Sequence, residues 1–177
     1  MPAPGGGGAC AVTAALAAAL VAMAARFSTG QLPGAGDIAE QADRLRHRVA
    51  GLADEDATVY QAVLDAFALP RDAAGRRAQI RDTLHSAATV PLEIAEVAAQ
   101  AGQLAAGLAA DGNPNLRGDA VTAAYLAEAA ARSAASLVDI NVRLGSLPAD
   151  LSRRAARAVA AAQAALTRAA NPGAGEE

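Results

Sequence analysis

The residues best suited to chemistry are an acidic triplet, Asp54–Asp56, which interrupts an otherwise apolar helical pattern. Tyr60 follows Asp56 by four residues, so the two side chains lie one turn apart on the same helix face. Asp54 falls on nearly the opposite face. A carboxylate beside a phenol in a cleft can take up and return protons, which makes Asp56 a candidate general base. The alternative is a solvated acidic turn, because runs of charge usually lie on the surface.

A second candidate is the glycine run Gly5–Gly8, which directly precedes an alanine-rich segment with apolar residues at helical spacing. A backbone without Cβ atoms that leads into a helix aims several N–H groups at one point, with the positive end of the helix dipole behind them. The amides of Gly6, Gly7 and Gly8 are therefore candidates for binding an anion or a reacting oxygen. The alternative is a tag-like tail before an ordinary helix.

Three asparagines and one further aspartate complete the candidate residues. Asn113 and Asn115 lie in a glycine–proline turn, and Asp119 follows Asn115 by one helical turn, so an amide and a carboxylate face one site. Such a pair can hold the edge of a heterocycle, although both side chains could simply cap the helix. Asn141 lies about 33 Å from Asp119 along the same predicted helix. The two residues therefore serve different ends of the molecule, unless a dimer brings them together.

The elements that position these residues are predicted to be helices throughout. Glycine and proline clusters separate the apolar-periodic segments, and no segment alternates with period two as a strand would. Pro91 is expected to kink one helix or to restart it. The sequence predicts an all-α, mostly antiparallel bundle of five or six helices. Residues 1–170 are predicted to form a single domain, and residues 171–177 a disordered tail.

The composition excludes several classes of function. The net charge is −3 with both signs interspersed, and aromatic residues make up only 2% of the chain, which argues against a nucleic-acid partner. No lysine occurs, so Schiff-base chemistry is excluded. His47 and His85 have no second histidine or cysteine at ligand spacing, so no metal site is expected.

Cysteine usage and the alanine content bear on location and assembly. The lone Cys10 fits a cytoplasmic protein. The run Ala9–Ala25 lacks the basic flank of a signal peptide and is too weakly apolar to favour a membrane. Alanine supplies most of the 53% apolar fraction, so each side chain buries little area. A further face buried in a homodimer is therefore expected to add stability.

Several of these stretches together resemble the cyclodeaminase/cyclohydrolase family, which includes the cyclodeaminase domain of formiminotransferase-cyclodeaminase and the stand-alone methenyltetrahydrofolate cyclohydrolases. The matching stretches are Pro-Ala-Pro-Gly-Gly-Gly before a small-residue helix ending in Met23-x-x-Arg26, Asp54-x-Asp56 before Leu69-Pro70, Val90-Pro91-Leu92, and Gly112-Asn-Pro-Asn115 before Asp119. The family's Asn-Val-x-Ile-Asn corresponds to residues 137–141 and keeps Asn141. Gly118, Leu137 and Asp139 stand where that pattern has serine, asparagine and often a basic residue. Family members usually carry a short helix before the glycine run.

The resemblance implies a homodimer that acts on a folate, with no cofactor beyond tetrahydrofolate as the substrate carrier. Its reaction would be hydrolysis of methenyltetrahydrofolate to formyltetrahydrofolate, or cyclodeamination of formiminotetrahydrofolate with release of ammonia, as a hydrolase or a lyase. The resemblance makes Asp56 or Asp119 the catalytic base. It assigns substrate binding to Gly6, Gly7, Gly8, Tyr60, Asn113, Asn115 and Asn141. A non-catalytic helical dimer, or one that binds another small heterocycle, stays open because a fold does not fix a function.

Overall fold

Five long α-helices build the part of the chain that the computed structural model describes, residues 5–171. Their bounds are α1 (Gly6–Arg26), α2 (Ala35–Ala68), α3 (Arg76–Asp111), α4 (Arg117–Gly145) and α5 (Asp150–Ala170), with a 3-10 turn at Pro114–Leu116 before α4. No strand occurs between residues 5 and 171, so the predicted all-α fold is confirmed. The predicted tail lies outside the described residues from residue 172 onward, as do the two prolines before the glycine run.

One helix boundary differs from the sequence prediction, and at Pro91 the structure decides between helix restart and continuation; both bear on the site. α1 begins at Gly6, inside the glycine run, and Gly5 is its N-cap residue. Three of the four glycines are therefore helical rather than part of a loop. α3 continues through Pro91 as one element, so of the two alternatives for this proline, a kink or a restart, the restart is wrong.

The helices pack with α3 at the centre, in contact with each of the other four. Small side chains allow close approach of helix backbones. A Cβ at Gly102 of α3 would lie 3.4 Å from the Cβ of Ala127 in α4 and 3.7 Å from that of Ala165 in α5. Most of the buried residues are alanines, and only a few larger side chains, such as Leu52 and Ile94, are fully buried.

Ion pairs on the surface join neighbouring helices. Arg48 of α2 donates to both carboxylate oxygens of Glu93 in α3, at 2.6 and 2.7 Å, and to Glu55 at 2.6 Å. Arg154 of α5 pairs with Glu96 of α3 at 2.9 Å. These side chains are largely exposed, so each pair adds little to stability and mainly fixes the alignment of the helices.

α1 has the length and apolar composition of a membrane-crossing helix, and it is the one such helix among the described residues. In this fold it packs against α2, α3 and α4, and 56% of its most apolar 18-residue window is buried by them.

Candidate active site

A pocket of about 550 Å³ opens at the end of the bundle where α1 begins. The glycine run forms one wall. Asp56 and Tyr60 of α2 and Asn141 of α4 supply the polar side chains. The remaining lining is apolar: Ala53, Ala57, Val59, Val63, Leu84, Ala87, Pro91, Leu137, Ile140 and Leu144. A mostly apolar cavity of this size with a few convergent polar groups is the usual form of a small-molecule site.

The backbone of α1 approaches the Asp56 side chain closely at Gly7. A Cβ on Gly7 would lie 2.5 Å from Oδ2 of Asp56 and closer still to its Cγ and Oδ1. Only glycine leaves room for this carboxylate, so the glycine run has a steric role beside its electrostatic one. The carboxylate therefore lies against the first turn of α1, where the helix N–H groups have no partners within the helix.

Burial raises the pKa of two side chains near the start of α1, those of Asp56 and Cys10. Burial is the main cause that raises the pKa of Asp56, and an interaction with the Gly8 backbone N–H partly offsets the rise. The pKa of the buried Cys10 thiol is also raised, first by burial and then by the nearby charge of Asp56. A half-buried carboxylate of raised pKa is a stronger base than a solvated aspartate, and shifted pKa values of this kind are typical of functional sites.

The Asn141 side chain of α4 is held by a hydrogen bond to α3. Its Nδ2 donates to the carbonyl oxygen of Ala87 at 2.7 Å. Ala87 lies four residues before Pro91, and proline has no N–H to donate to that carbonyl. The hydrogen bond from Asn141 thus replaces the one that Pro91 cannot donate inside α3.

The rim of the pocket exposes large apolar surface. Tyr60 is 53% exposed and Leu144 62% exposed, and Ile140 lies beside them in the lining. An apolar rim with an aromatic ring suits a flat heterocycle, because stacking and burial of apolar area both contribute there.

The other predicted residues lie at the far end of the bundle. The Asn113 side chain donates to the Phe27 carbonyl at 3.0 Å and accepts from the Asn115 backbone N–H at 3.0 Å. Its backbone N–H donates to Ser28 Oγ at 2.9 Å. Because Phe27 ends the helix that Gly6 begins, about 30 Å separates the two ends. Asn113, Asn115 and Asp119 therefore do not reach this pocket within one chain, and the turn instead joins the end of α1 to the start of α4.

Sequence reasoning missed most of the apolar lining. Val63, Leu84 and Leu144 have the ordinary spacing of core residues, and nothing in the pattern sets them apart from the core. Leu137 could have been singled out from the sequence, since it stands where the family motif has asparagine. Its Cδ atoms lie 3.6 Å from the position of a Cβ on Gly6. This chain therefore has an apolar wall where that pattern has an amide.

A cavity of about 600 Å³ lies beside Arg77, Arg81 and His85 of α3. It is more open than the glycine-run pocket and holds none of the predicted site residues, so size alone does not locate the site. No group of three or more histidine, cysteine or acidic side chains among residues 5–171 is arranged to hold a metal ion.

Comparison with known proteins decides the family. The family model for formiminotransferase-cyclodeaminase matches residues 1–162. The chain belongs to this family. The formiminotransferase-cyclodeaminase family consists of enzymes of folate one-carbon metabolism, in agreement with the resemblance of the sequence motifs.

Two relatives extend this assignment. The chain is 34% identical over 152 residues to the methenyltetrahydrofolate cyclohydrolase of Methylorubrum extorquens, a match that covers 80% of this chain and 73% of that protein. The crystal structure of formiminotetrahydrofolate cyclodeaminase from Thermotoga maritima superimposes with a TM-score of 0.84 at 25% identity, covering 96% of this chain and 87% of that one. The family fold is thus present over nearly the whole chain.

Proposed function

We propose that this protein hydrolyses methenyltetrahydrofolate to formyltetrahydrofolate in the glycine-run pocket, with Asp56 as the general base. The observation that carries the proposal is the position of Asp56, a half-buried carboxylate of raised pKa held against the start of α1. The 34% sequence identity to a methenyltetrahydrofolate cyclohydrolase supports the choice of reaction.

The reaction needs one proton acceptor and a site for a developing oxygen charge. Water attacks the electron-poor carbon between the two folate nitrogens, a C–O bond forms, and Asp56 takes a water proton. The hydroxyl adduct then collapses: one C–N bond breaks, the oxygen loses its proton, and the leaving nitrogen takes a proton from Asp56. In total one water is consumed and one proton is released. A positioned base of this kind is worth about 10²–10⁴-fold in rate.

The remaining residues of the pocket fit the other requirements of this reaction. The N–H groups of Gly6 and Gly7 supply donors for the oxygen of the adduct, whereas that of Gly8 is engaged by Asp56. Such donors act most strongly in a site shielded from water. Asn141 and Tyr60 supply polar groups for the edge of a heterocycle, and the apolar rim supplies area for its face. Water and the folate are the only reactants that this scheme requires.

Two neighbouring aspartates provide a matched test. Asp56→Asn keeps the size of the side chain and removes the base, so kcat for loss of methenyltetrahydrofolate absorbance is expected to fall at least 100-fold. Asp54→Asn makes the same change on an exposed side chain two residues away, and kcat is expected to stay within twofold. Equal effects of the two substitutions, or full activity without the Asp56 carboxylate, would reject Asp56 as the base.

Cyclodeamination of formiminotetrahydrofolate is the second candidate, favoured by the structural match to a cyclodeaminase. In that reaction one folate nitrogen attacks the formimino carbon and ammonia leaves after it has taken up a proton. A carboxyl group of raised pKa is protonated over a wider pH range than an ordinary aspartate, so Asp56 could also act as the acid. Release of ammonia from formiminotetrahydrofolate by the purified protein, measured beside the hydrolysis rate, distinguishes the two reactions.

We also propose that the protein works as a cytoplasmic homodimer. Val12 and Leu16 of α1, one turn apart, are 54% and 55% exposed, and Tyr125 of α4 is 55% exposed. Covering such side chains with a second copy would add apolar burial to an alanine-rich core. Only in a dimer could Asn115 or Asp119 of one copy reach the glycine-run pocket of the other. Leu16→Glu is expected to shift the protein to monomer in sedimentation velocity, whereas an unchanged sedimentation coefficient would exclude this face.

A further inference from the structure

The contact between α3 and α4 at the pocket wall is unusual because it replaces a helix hydrogen bond. In an uninterrupted helix the carbonyl of Ala87 would accept from the N–H of residue 91. Pro91 lacks that N–H, and its ring pushes the preceding turn open. The Nδ2 group of Asn141 donates to the carbonyl at 2.7 Å instead. All three residues line the glycine-run pocket.

This contact determines which way the asparagine amide faces. A carbonyl oxygen only accepts hydrogen bonds, so the NH₂ group of Asn141 must be the side that meets Ala87. The reverse orientation would set two acceptors against each other. The amide oxygen of Asn141 accepts no hydrogen bond from the described residues, so Asn141 offers the pocket a free acceptor.

We propose that Pro91 is a positioning residue: by leaving the Ala87 carbonyl without a helix partner, it fixes the Asn141 amide so that this wall of the pocket selects an N–H donor on the ligand. The proposal relies on the proposed function only for the identity of that ligand. The amide orientation is a property of the free protein and can be tested without any substrate.

The substrate-free test observes the Asn141 side-chain amide by ¹⁵N NMR. Asn141→Asp identifies the signal because it removes that pair of protons. In the native protein one of the two protons is expected to be shifted downfield and slow to exchange with water. In Pro91→Ala the restored N–H competes for the Ala87 carbonyl, and a straightened helix directs that carbonyl along its own axis. The protected proton is then expected to exchange at least tenfold faster.

Thr89→Ala provides the control for helix α3. It removes an exposed hydroxyl two residues from Pro91, bonded only to the His85 carbonyl, and it leaves the pocket lining unchanged. Exchange of the Asn141 amide is expected to be the same as in the native protein. If Pro91→Ala leaves the amide signals and their exchange unaltered, Pro91 does not position Asn141 and the proposal is wrong.

A double-mutant cycle tests the effect on the substrate. In the native background Asn141→Asp places a carboxylate oxygen against the Ala87 carbonyl, so KM for methenyltetrahydrofolate is expected to rise steeply. In the Pro91→Ala background the carbonyl has its helix partner and the carboxylate is free to turn away. The same substitution is then expected to raise KM about tenfold less. The charge added near Asp56 is common to both backgrounds and cancels in the cycle.

The outcomes separate this inference from the proposed function. Pro91→Ala alone is expected to raise KM about tenfold and to change kcat less than threefold, because it alters binding and not the base. Additive effects on KM in an active enzyme would overturn the role of Pro91 and leave the proposed reaction intact. An inactive native protein whose Asn141 amide still responds to Pro91→Ala would refute the reaction and retain the positioning role.

Discussion

The close approach of α1 to Asp56 makes Gly7→Ala the most informative single substitution. The new Cβ would lie 2.5 Å or less from three atoms of the carboxyl group, whereas ordinary contact begins near 3.4 Å. Either the side chain or the helix must therefore move by about 1 Å. A displacement of about 1 Å at a reacting group can lower the rate about 100-fold. Alanine also favours a helix interior by about 1 kcal/mol over glycine, which offsets part of the strain.

The assay compares kcat and the thermal midpoint for Gly7→Ala and for a control, Gly51→Ala. Gly51 lies on α2, the helix of Asp56, and a Cβ there would meet nothing within 4 Å. We expect kcat for methenyltetrahydrofolate hydrolysis to fall about 100-fold for Gly7→Ala and to stay within twofold for Gly51→Ala. Full activity of Gly7→Ala in a folded protein would show that the position of the Asp56 carboxylate does not control the rate, which would refute the reasoning.

Three further predictions concern stability. Asn113→Ala is expected to lower the free energy of unfolding by about 1–3 kcal/mol because two side-chain hydrogen bonds are lost, and a thermal midpoint equal to that of Asn115→Ala would contradict this. Asp56→Asn is expected to stabilise the protein at neutral pH. The folded pKa of Asp56 lies above the unfolded one, so native stability falls as pH rises through that interval, and in denaturant titrations the advantage of the variant should vanish below pH about 3.9. Gly102→Leu is expected to cost at least about 1–3 kcal/mol by overpacking against Ala127, so an unchanged denaturation midpoint would argue against the close approach of α3 and α4.

The sequence predicted the helical class correctly, and it placed two polar residues of the glycine-run pocket on one helix face. Helical periodicity and the glycine and proline breaks were sufficient for the bundle, because these signals are local. Asp56 and Tyr60 were placed on one face by their spacing alone. The sequence also indicated that Asp119 and Asn141 are too far apart for one site, and the structure places them at opposite ends of α4.

What the sequence did not reveal depends on contacts between distant segments. The glycine run was predicted to precede the helix, whereas it forms the first helical turn. The need for glycine at residue 7 comes from Asp56, which lies far along the chain. The turn at Asn113 was predicted to bind substrate, because asparagine side chains both cap helices and form hydrogen bonds with heterocycles. In the structure the Asn113 side chain donates a hydrogen bond to the Phe27 carbonyl at the end of α1, and it is therefore part of the turn. Likewise, nothing local connects Pro91 with Asn141.

The central claim is that the folate binds at the glycine run, between α1, α2 and α4. The most direct measurement is a crystal structure of the protein with 5-formyltetrahydrofolate as a stable probe. We predict the heterocycle in this pocket, with one of its N–H groups within hydrogen-bond distance of Asn141 Oδ1 and its one-carbon unit next to Asp56. A ligand bound instead around Asn115 and Asp119, with the glycine-run pocket unoccupied at saturating probe, would contradict the account.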